Sequence, residues 1–148
     1  MKKRKKSIMV TIVITWALVV FLALLTLTAP WAFKWYSSIF SRGDNVYVPI
    51  TVAYYIVVIP AFLACINLLK VLYGIKRNSV FTKANVTSLK ILTGCCFYVS
   101  AVFFIAGFLY FPLFVFSVAA FFASLILLVV KDCFARATEI QIENDLTI

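Results

Sequence analysis

Few residues of this chain could carry chemistry. They are Cys65, Cys95, Cys96 and Cys133 and the acids Asp44, Asp132, Glu139, Glu143 and Asp145; histidine is absent. A serine or cysteine nucleophile needs an adjacent base, and without imidazole the serine–histidine and cysteine–histidine mechanisms are excluded. Metal binding lacks both imidazole and a suitable cysteine spacing. Quinone-linked thiol oxidation needs a C-x-x-C pair exposed to an oxidising face, whereas Cys95 and Cys96 are adjacent and lie in an apolar run. Buried free cysteine behaves as a small hydrophobe, so the thiols read as packing residues, with Cys133 at a membrane boundary where lipidation is open to it. The sequence assigns no catalytic residue, no cofactor and no metal.

The elements that would position these residues are set by charge-free runs. Ser7–Phe33, Asn45–Leu69 and Ile91–Val130 contain no charged residue. About 20 mostly apolar residues suffice for a helix to cross the hydrocarbon core. The first two runs each cross once, and the third is long enough to cross, turn at Tyr110-Phe111-Pro112 and cross back. The expected architecture is all-α, an integral membrane four-helix bundle forming one transmembrane domain over 1–148. Its spans fall at about 8–29, 49–73, 88–110 and 112–130. A short interfacial helix is expected in the first outer loop and a helical cytoplasmic tail over 131–148. Composition agrees, with 65% hydrophobic residues and a mean hydropathy of +1.09, against about 45–50% apolar residues in soluble domains. A net charge of +9 would suggest nucleic acid in a soluble protein. Here the basic residues flank the spans, so no direct nucleic-acid partner is expected.

A cleaved signal peptide is not expected, although Met1–Lys6 is basic. The apolar stretch that follows exceeds the about 7–15 residues of a secretory h-region, and Pro30 interrupts the candidate site Ala29-Pro30-Trp31-Ala32. The first connector, Pro30–Val46, is aromatic, with Trp31, Phe33, Trp35, Tyr36 and Phe40 ahead of Tyr47. Such rings favour the head-group level. Pro30 suits the first position of a helix, which predicts an interfacial helix over Pro30–Ile39 and a reversing turn over Ser41–Asn45. That turn reading also accounts for Arg42-Gly43-Asp44, which matches an integrin tripeptide. Pro60 predicts a kink near Ile56–Pro60, read as structural. Asn67 is expected to form a cross-helix hydrogen bond of about 0.6–2 kcal/mol. Thr82 is a candidate N-cap for the third helix, and Lys90 would snorkel back to water.

Orientation follows from the basic residues. The first connector holds Lys34 and Arg42, and the Tyr110-Phe111-Pro112 turn holds none; every other Lys or Arg lies before the first span, in the second connector or in the tail. The positive-inside rule then places both termini in the cytoplasm of a multi-pass protein in the bacterial inner (plasma) membrane. The Asn85-Val86-Thr87 sequon would face the cytoplasm and stay unmodified. The spans lack the ionisable residues that proton relays and ion-coupled transporters keep in the membrane. Small-residue stripes mark expected helix contacts: Ala61-x-x-x-Cys65, Cys96-x-x-x-Ser100, Ala119-x-x-x-Ala123 and Ala120-x-x-x-Ser124. They also admit a homo-oligomer. The phenylalanines from Phe97 to Phe122 read as packing within a hairpin, with a lipid or peptide groove as the alternative.

Three features carry a family resemblance. They are the length with four spans, the segment Asn78-Ser79-Val80-Phe81-Thr82 leading into Asn85-Val86-Thr87-Ser88-Leu89-Lys90, and the ending Glu143-Asn144-Asp145-Leu146-Thr147-Ile148. On these the chain resembles the YoaS-like family of small uncharacterised bacterial membrane proteins. The resemblance implies no activity and no catalytic residues. It does imply genes lying beside a small Cro-type DNA-binding regulator, and hence a protein that anchors or senses for such a partner.

The reading is therefore a non-enzymatic anchor, sensor or regulator acting through protein contacts at its cytoplasmic face, with the bilayer and a small regulator protein as partners. The alternative is a transport or efflux accessory, or an immunity-type protein against a membrane-active peptide; a membrane enzyme ranks third. The candidate partner-binding residues are Glu143, Asn144, Asp145, Leu146, Thr147 and Ile148. Phe134, Ala137, Gln141 and Ile142 are expected along one side of the tail helix. Glu139, Glu143 or Asp145 are expected to pair with Lys76, Arg77 or Lys83, for about 0–1 kcal/mol each.

Overall fold

Amide and carbonyl groups find no partner in hydrocarbon, so an apolar chain of this kind is forced into helices. The computed structural model of the chain describes residues 2–39 and 44–147, and four helices account for nearly all of them: α1 (Lys2–Ile39), α2 (Asp44–Lys76), α3 (Lys83–Gly107) and α4 (Leu113–Leu146). Among the described residues there is no strand. Each helix contains a segment long and apolar enough to cross a membrane: Lys6–Tyr36, Ile50–Lys76, Lys83–Gly107 and Leu113–Leu146. The large apolar side chains point outward, Leu27 with 80% and Ile59 with 74% of their surface exposed. A water-soluble protein does not leave such a surface uncovered; the chain is a multi-pass membrane protein.

The helices run past the span limits expected from the sequence. Pro30–Ile39 is helical, but it continues α1 without a break instead of forming a separate interfacial helix. Pro30 lacks an N–H, which frees the Thr26 carbonyl, and the Tyr55 hydroxyl donates to that oxygen at 3.5 Å. Asp44 and Asn45, expected in a turn, begin α2, while Ser41, Arg42 and Gly43 lie outside the described residues. Pro60 likewise sits inside an unbroken α2. At the other hairpin α3 stops at Gly107, short of the expected Tyr110. The Phe114 ring lies where a Cβ on Gly107 would stand, 2.9 Å away, so the chain has already begun to reverse there, and Pro112 leads into α4.

Consecutive helices pack side by side, α1 on α2, α2 on α3 and α3 on α4, and among the described residues no other helix pair brings its backbones together. Along α1 one row of covered positions runs Ile8, Ile12, Thr15, Val19, Leu22, Thr26, Ala29 and Phe33, with Ala23 and Pro30 half-buried beside it. These steps alternate three and four residues, the 3.5-residue repeat with which two helices wrap left-handedly. On α4 the buried residues Ser117, Ser124 and Thr138 keep heptad register. Of the two neighbouring small stripes on α4, Ala120-x-x-x-Ser124 faces inward with Ser124 at 0% exposure, while Ala119 and Ala123 are exposed. They are one residue apart, about 100° around the helix, so only one of them can meet α3.

Helix contacts are made by small and polar residues because hydrocarbon supplies no hydrophobic drive between helices. Most of these hydroxyls satisfy themselves within their own helix: Thr15 donates to Thr11 at 2.8 Å, Thr93 to Leu89 at 2.8 Å and Ser124 to Phe121 at 2.6 Å. They contribute close approach and add no tie between helices. A reciprocal pair of serines does cross between helices. The Ser100 Oγ donates to the Ser117 carbonyl at 3.1 Å, and the Ser117 Oγ donates to the Ser100 carbonyl at 2.9 Å. Ser100→Ala and Ser117→Ala are each expected to destabilise the α3–α4 hairpin by about 0.6–1.7 kcal/mol, measured by denaturing-detergent titration of the purified protein. Ser124→Ala, which removes only an intrahelical bond, should cost less than either.

Candidate functional site

The most elaborately ordered polar structure lies where α2 ends and α3 begins. Asn78 adopts φ 60°, a left-handed conformation that asparagine tolerates better than most residues. Ser79 N–H donates to the Gly74 carbonyl at 3.0 Å and Asn78 N–H to the Ile75 carbonyl at 3.1 Å. This pair of bonds is the Schellman closure of a helix. Four residues after Asn78, Thr82 caps the start of α3, its hydroxyl accepting from the Asn85 N–H at 3.4 Å, as expected for an N-cap.

Asn85 holds the two ends together. Its Nδ2 donates to the carbonyls of Ser79 and Val80, each at 2.9 Å. The side chain is buried and occupies the place that a Cβ on Gly74 would take, 2.6 Å from the Asn85 amide. The Asn85 amide of the sequon is thereby committed to internal hydrogen bonds. The next residue of the connector to be fixed is Phe81, whose ring packs on Phe134 of α4 at 5.6 Å. Phe134 also covers the cluster of Val71, Leu89 and Leu92, and Thr138 donates to the Phe134 carbonyl at 2.7 Å. One end of the bundle thus gathers the α2–α3 connector and the extension of α4.

A groove of about 760 Å³ opens beside this connector, lined by Trp16, Lys70, Tyr73, Arg77, Thr82 and Asn85 among others. No acidic side chain lines it. Lys76 lies over the Tyr73 ring, 6.0 Å from its centre. The acids of the tail do not reach these cations. Among the described residues Glu139, Glu143 and Asp145 form no ion pair with Lys76, Arg77 or Lys83, contrary to expectation, and Asp132 pairs with its neighbour Lys131 at 2.8 Å. The cause is geometric: α4 continues straight as a helix to Leu146, carrying its acids beyond the connector. The inner side of the tail is Phe134 and Thr138, with Ala137 half-buried, while Gln141 is exposed and Ile142 largely so. Glu143, Asn144, Asp145, Leu146 and Thr147 are all exposed; Ile148 lies outside the described residues.

The remaining candidates are elsewhere. Asn67 is 2% exposed, but its Nδ2 donates to the Leu63 carbonyl of its own helix at 2.8 Å, so the bond it makes does not cross the interface as expected. Pro60 borders a notch of about 490 Å³ with Ile59, Gly94, Cys95 and Tyr98. At the far end a cleft of about 430 Å³ lies between α1 and the α3–α4 hairpin, lined by Leu25, Ala29, Phe33, Tyr54, Phe103 and Phe116 among others. There the hydroxyls of Tyr36 and Tyr110 share a hydrogen bond of 2.7 Å. The phenylalanines of the hairpin pack mostly on one another, Phe97 on Phe121 at 5.9 Å and Phe104 on Phe114 at 5.4 Å. Cys65, Cys95, Cys96 and Cys133 are all free thiols. The Gly74–Asn85 pair escaped sequence reasoning; its signal was a glycine in the last turn of one helix and an asparagine three residues after the next helix's cap.

The family described as a protein of unknown function (DUF2975) matches residues 31–148. No curated protein matches the chain, and no solved structure does.

Gly74→Ala is expected to expel the Asn85 amide and loosen the connector, and Asn85→Ala to loosen it by removing the two bonds to Ser79 and Val80. Tryptic cleavage after Arg77 or Lys83 in detergent reads this directly. Because both changes act on one contact, the double variant should be cleaved no faster than Asn85→Ala alone.

Proposed function

We propose that this chain, which belongs to the DUF2975 family of proteins of unknown function, is a non-enzymatic membrane anchor or sensor acting through protein contacts at the connector end of its bundle. The observation that carries this reading is the extension of α4. The helix runs on to Leu146 beyond its apolar part, and it exposes Ile140 at 60% and Leu146 at 81% among Glu139, Glu143 and Asp145. An exposed helix with apolar side chains between acids suits capture by another protein's groove. The residue inventory supports a non-enzymatic role, since histidine is absent and no acid lies in the charge-free runs.

The distribution of lysine and arginine supports placing this end in the cytoplasm, at the plasma membrane, with both termini inside. The resemblance to the YoaS-like family supports a small Cro-type DNA-binding regulator as the partner. Nucleic acid itself is not the ligand in this reading, because the basic residues are accounted for by the membrane boundary. A second reading, a transport or efflux accessory or an immunity-type protein against a membrane-active peptide, is favoured by the apolar cleft between α1 and the α3–α4 hairpin.

Topology is tested with single cysteines in a cysteine-free background. In sealed cells an impermeant maleimide should label cysteines placed at Ser38 or Gly43 and spare those at Lys76 or Thr138. Labelling at Lys76 would invert the arrangement.

The tail is tested by deleting 144–148. The truncated protein should insert at wild-type levels, since the charge-free part of α4 ends at Val130, and should lose the cytoplasmic protein that co-purifies with the full chain from native membranes. Undiminished co-purification would remove the tail from the mechanism.

A further inference from the structure

We propose that the groove beside the α2–α3 connector is a binding site for an anionic phospholipid, with the lipid phosphate held between Lys70 and Arg77. On α2, Lys70, Tyr73, Gly74 and Arg77 follow one another at helical spacing, so they share one face over two turns. All four line the groove, together with Ile66 and Leu69 below and Ser79 and Thr82 above. The lining is thus graded. Its lower part is apolar, with Trp16 of α1 as a wall, and its upper part is cationic and hydroxylic. A phospholipid has the same gradient from acyl chain to phosphate.

Lys70 is the deepest cation of this face. It lies inside the helical segment Ile50–Lys76 that is apolar enough to cross a membrane. At 1.5 Å per residue its Cα stands about 10 Å deeper than that of Arg77. A lysine at this depth sends its ammonium back along the helix toward the interface, which on this face means toward Arg77. A lysine near a helix end reaches the interface without a ligand; what marks this one is that it lines a single groove with Arg77. Among the described residues neither Lys70 nor Arg77 has a carboxylate partner, and no acidic side chain lines the groove.

Two features of the connector complete the site. Asn85 fills the notch at Gly74 and ties down Ser79 and Val80, so the polar rim is held rigidly before any ligand arrives. The Thr82 hydroxyl accepts from the Asn85 N–H, which leaves its own proton to donate to a phosphate oxygen. A basic pocket between membrane helices at the head-group level is the recognised form of an anionic-lipid site. The groove's volume of about 760 Å³ falls within the about 300–1,000 Å³ of small-ligand pockets. An acidic protein segment would match the charge as well, but acyl chains also match the apolar lower part of the lining, Trp16 and Ile66, at the depth where lipid already surrounds the helices. The site is independent of which protein binds the tail.

The test uses the full chain purified in neutral detergent, titrated with phosphatidylglycerol or phosphatidylcholine and read by native mass spectrometry. Phosphatidylglycerol should bind selectively, and Lys70→Gln with Arg77→Gln should weaken it roughly thirtyfold, since each interfacial cation contributes about fivefold. The charge-conserving pair Lys70→Arg with Arg77→Lys should restore binding and control for folding. Lys131→Gln with Arg136→Gln removes the same charge outside the groove and should leave binding unchanged. An excess of inorganic phosphate should fail to compete, because it lacks the acyl chains. Equal binding of the two lipids, an equal loss in the control pair, or displacement by inorganic phosphate would each overturn the proposal.

Discussion

Inside a bilayer every backbone carbonyl needs a donor, and the way these four helices sit together follows from where donors are found. Regular helix supplies nearly all of them. The exceptions occur at proline, which removes the donor owed to the carbonyl four residues earlier. At Pro30 that carbonyl belongs to Thr26, and the Tyr55 hydroxyl of α2 reaches it at 3.5 Å, while the Thr26 hydroxyl meets that of Tyr54 at 3.5 Å. The Tyr55 hydroxyl thus faces the carbonyl that Pro30 leaves without an amide donor, at a point where α1 continues as one element to Ile39.

The same constraint explains the inverted character of the interior. Large apolar side chains face outward, where lipid covers them. The inner surfaces carry threonine and serine, whose hydroxyls mostly return to their own helix, beside alanine, glycine and two small aliphatic clusters, Ile12–Leu69–Leu72 and Val71–Leu89–Leu92. Packing distance then does the work that hydrophobic burial does in water. Against this background a cross-helix tie is conspicuous. The reciprocal Ser100–Ser117 bonds join α3 to α4 in the half of the hairpin nearer its turn, and the Asn85 amide ties the start of α3 to the connector that follows α2.

The two ends of the bundle have different chemistry. The hairpin end is closed by phenylalanine and tyrosine rings around Gly107–Phe114. The connector end is closed by hydrogen bonds, with cations, hydroxyls and the α4 extension arrayed around a rigid turn. A surface of the second kind offers directional contacts to ligands, and it is the one that both the protein-binding and the lipid-binding proposals use.

The four apolar spans, their helical type, the membrane setting and the Thr82 cap were legible in the sequence alone, whereas the separate interfacial helix expected over Pro30–Ile39 was not there to be found. Hydropathy and span length are sums over local residues, and a cap depends on a few consecutive positions. The continuity of α1 through Pro30 was not legible, because proline suits the first turn of a helix as well as the interior of a membrane helix, and the Tyr55 hydroxyl that meets the freed carbonyl comes from another helix. Nor was the direction of Asn67, which had a carbonyl within reach on its own helix. Which of two adjacent small stripes on α4 would face inward depended on α3, and the fit of Asn85 into Gly74 depended on the register of α2 against α3. The sequence by itself determined what each segment is, since that is decided by its own residues and the solvent around them. Only the tertiary structure decided which residues meet, because in hydrocarbon that choice rests on close approach and a few hydrogen bonds between segments distant in the chain.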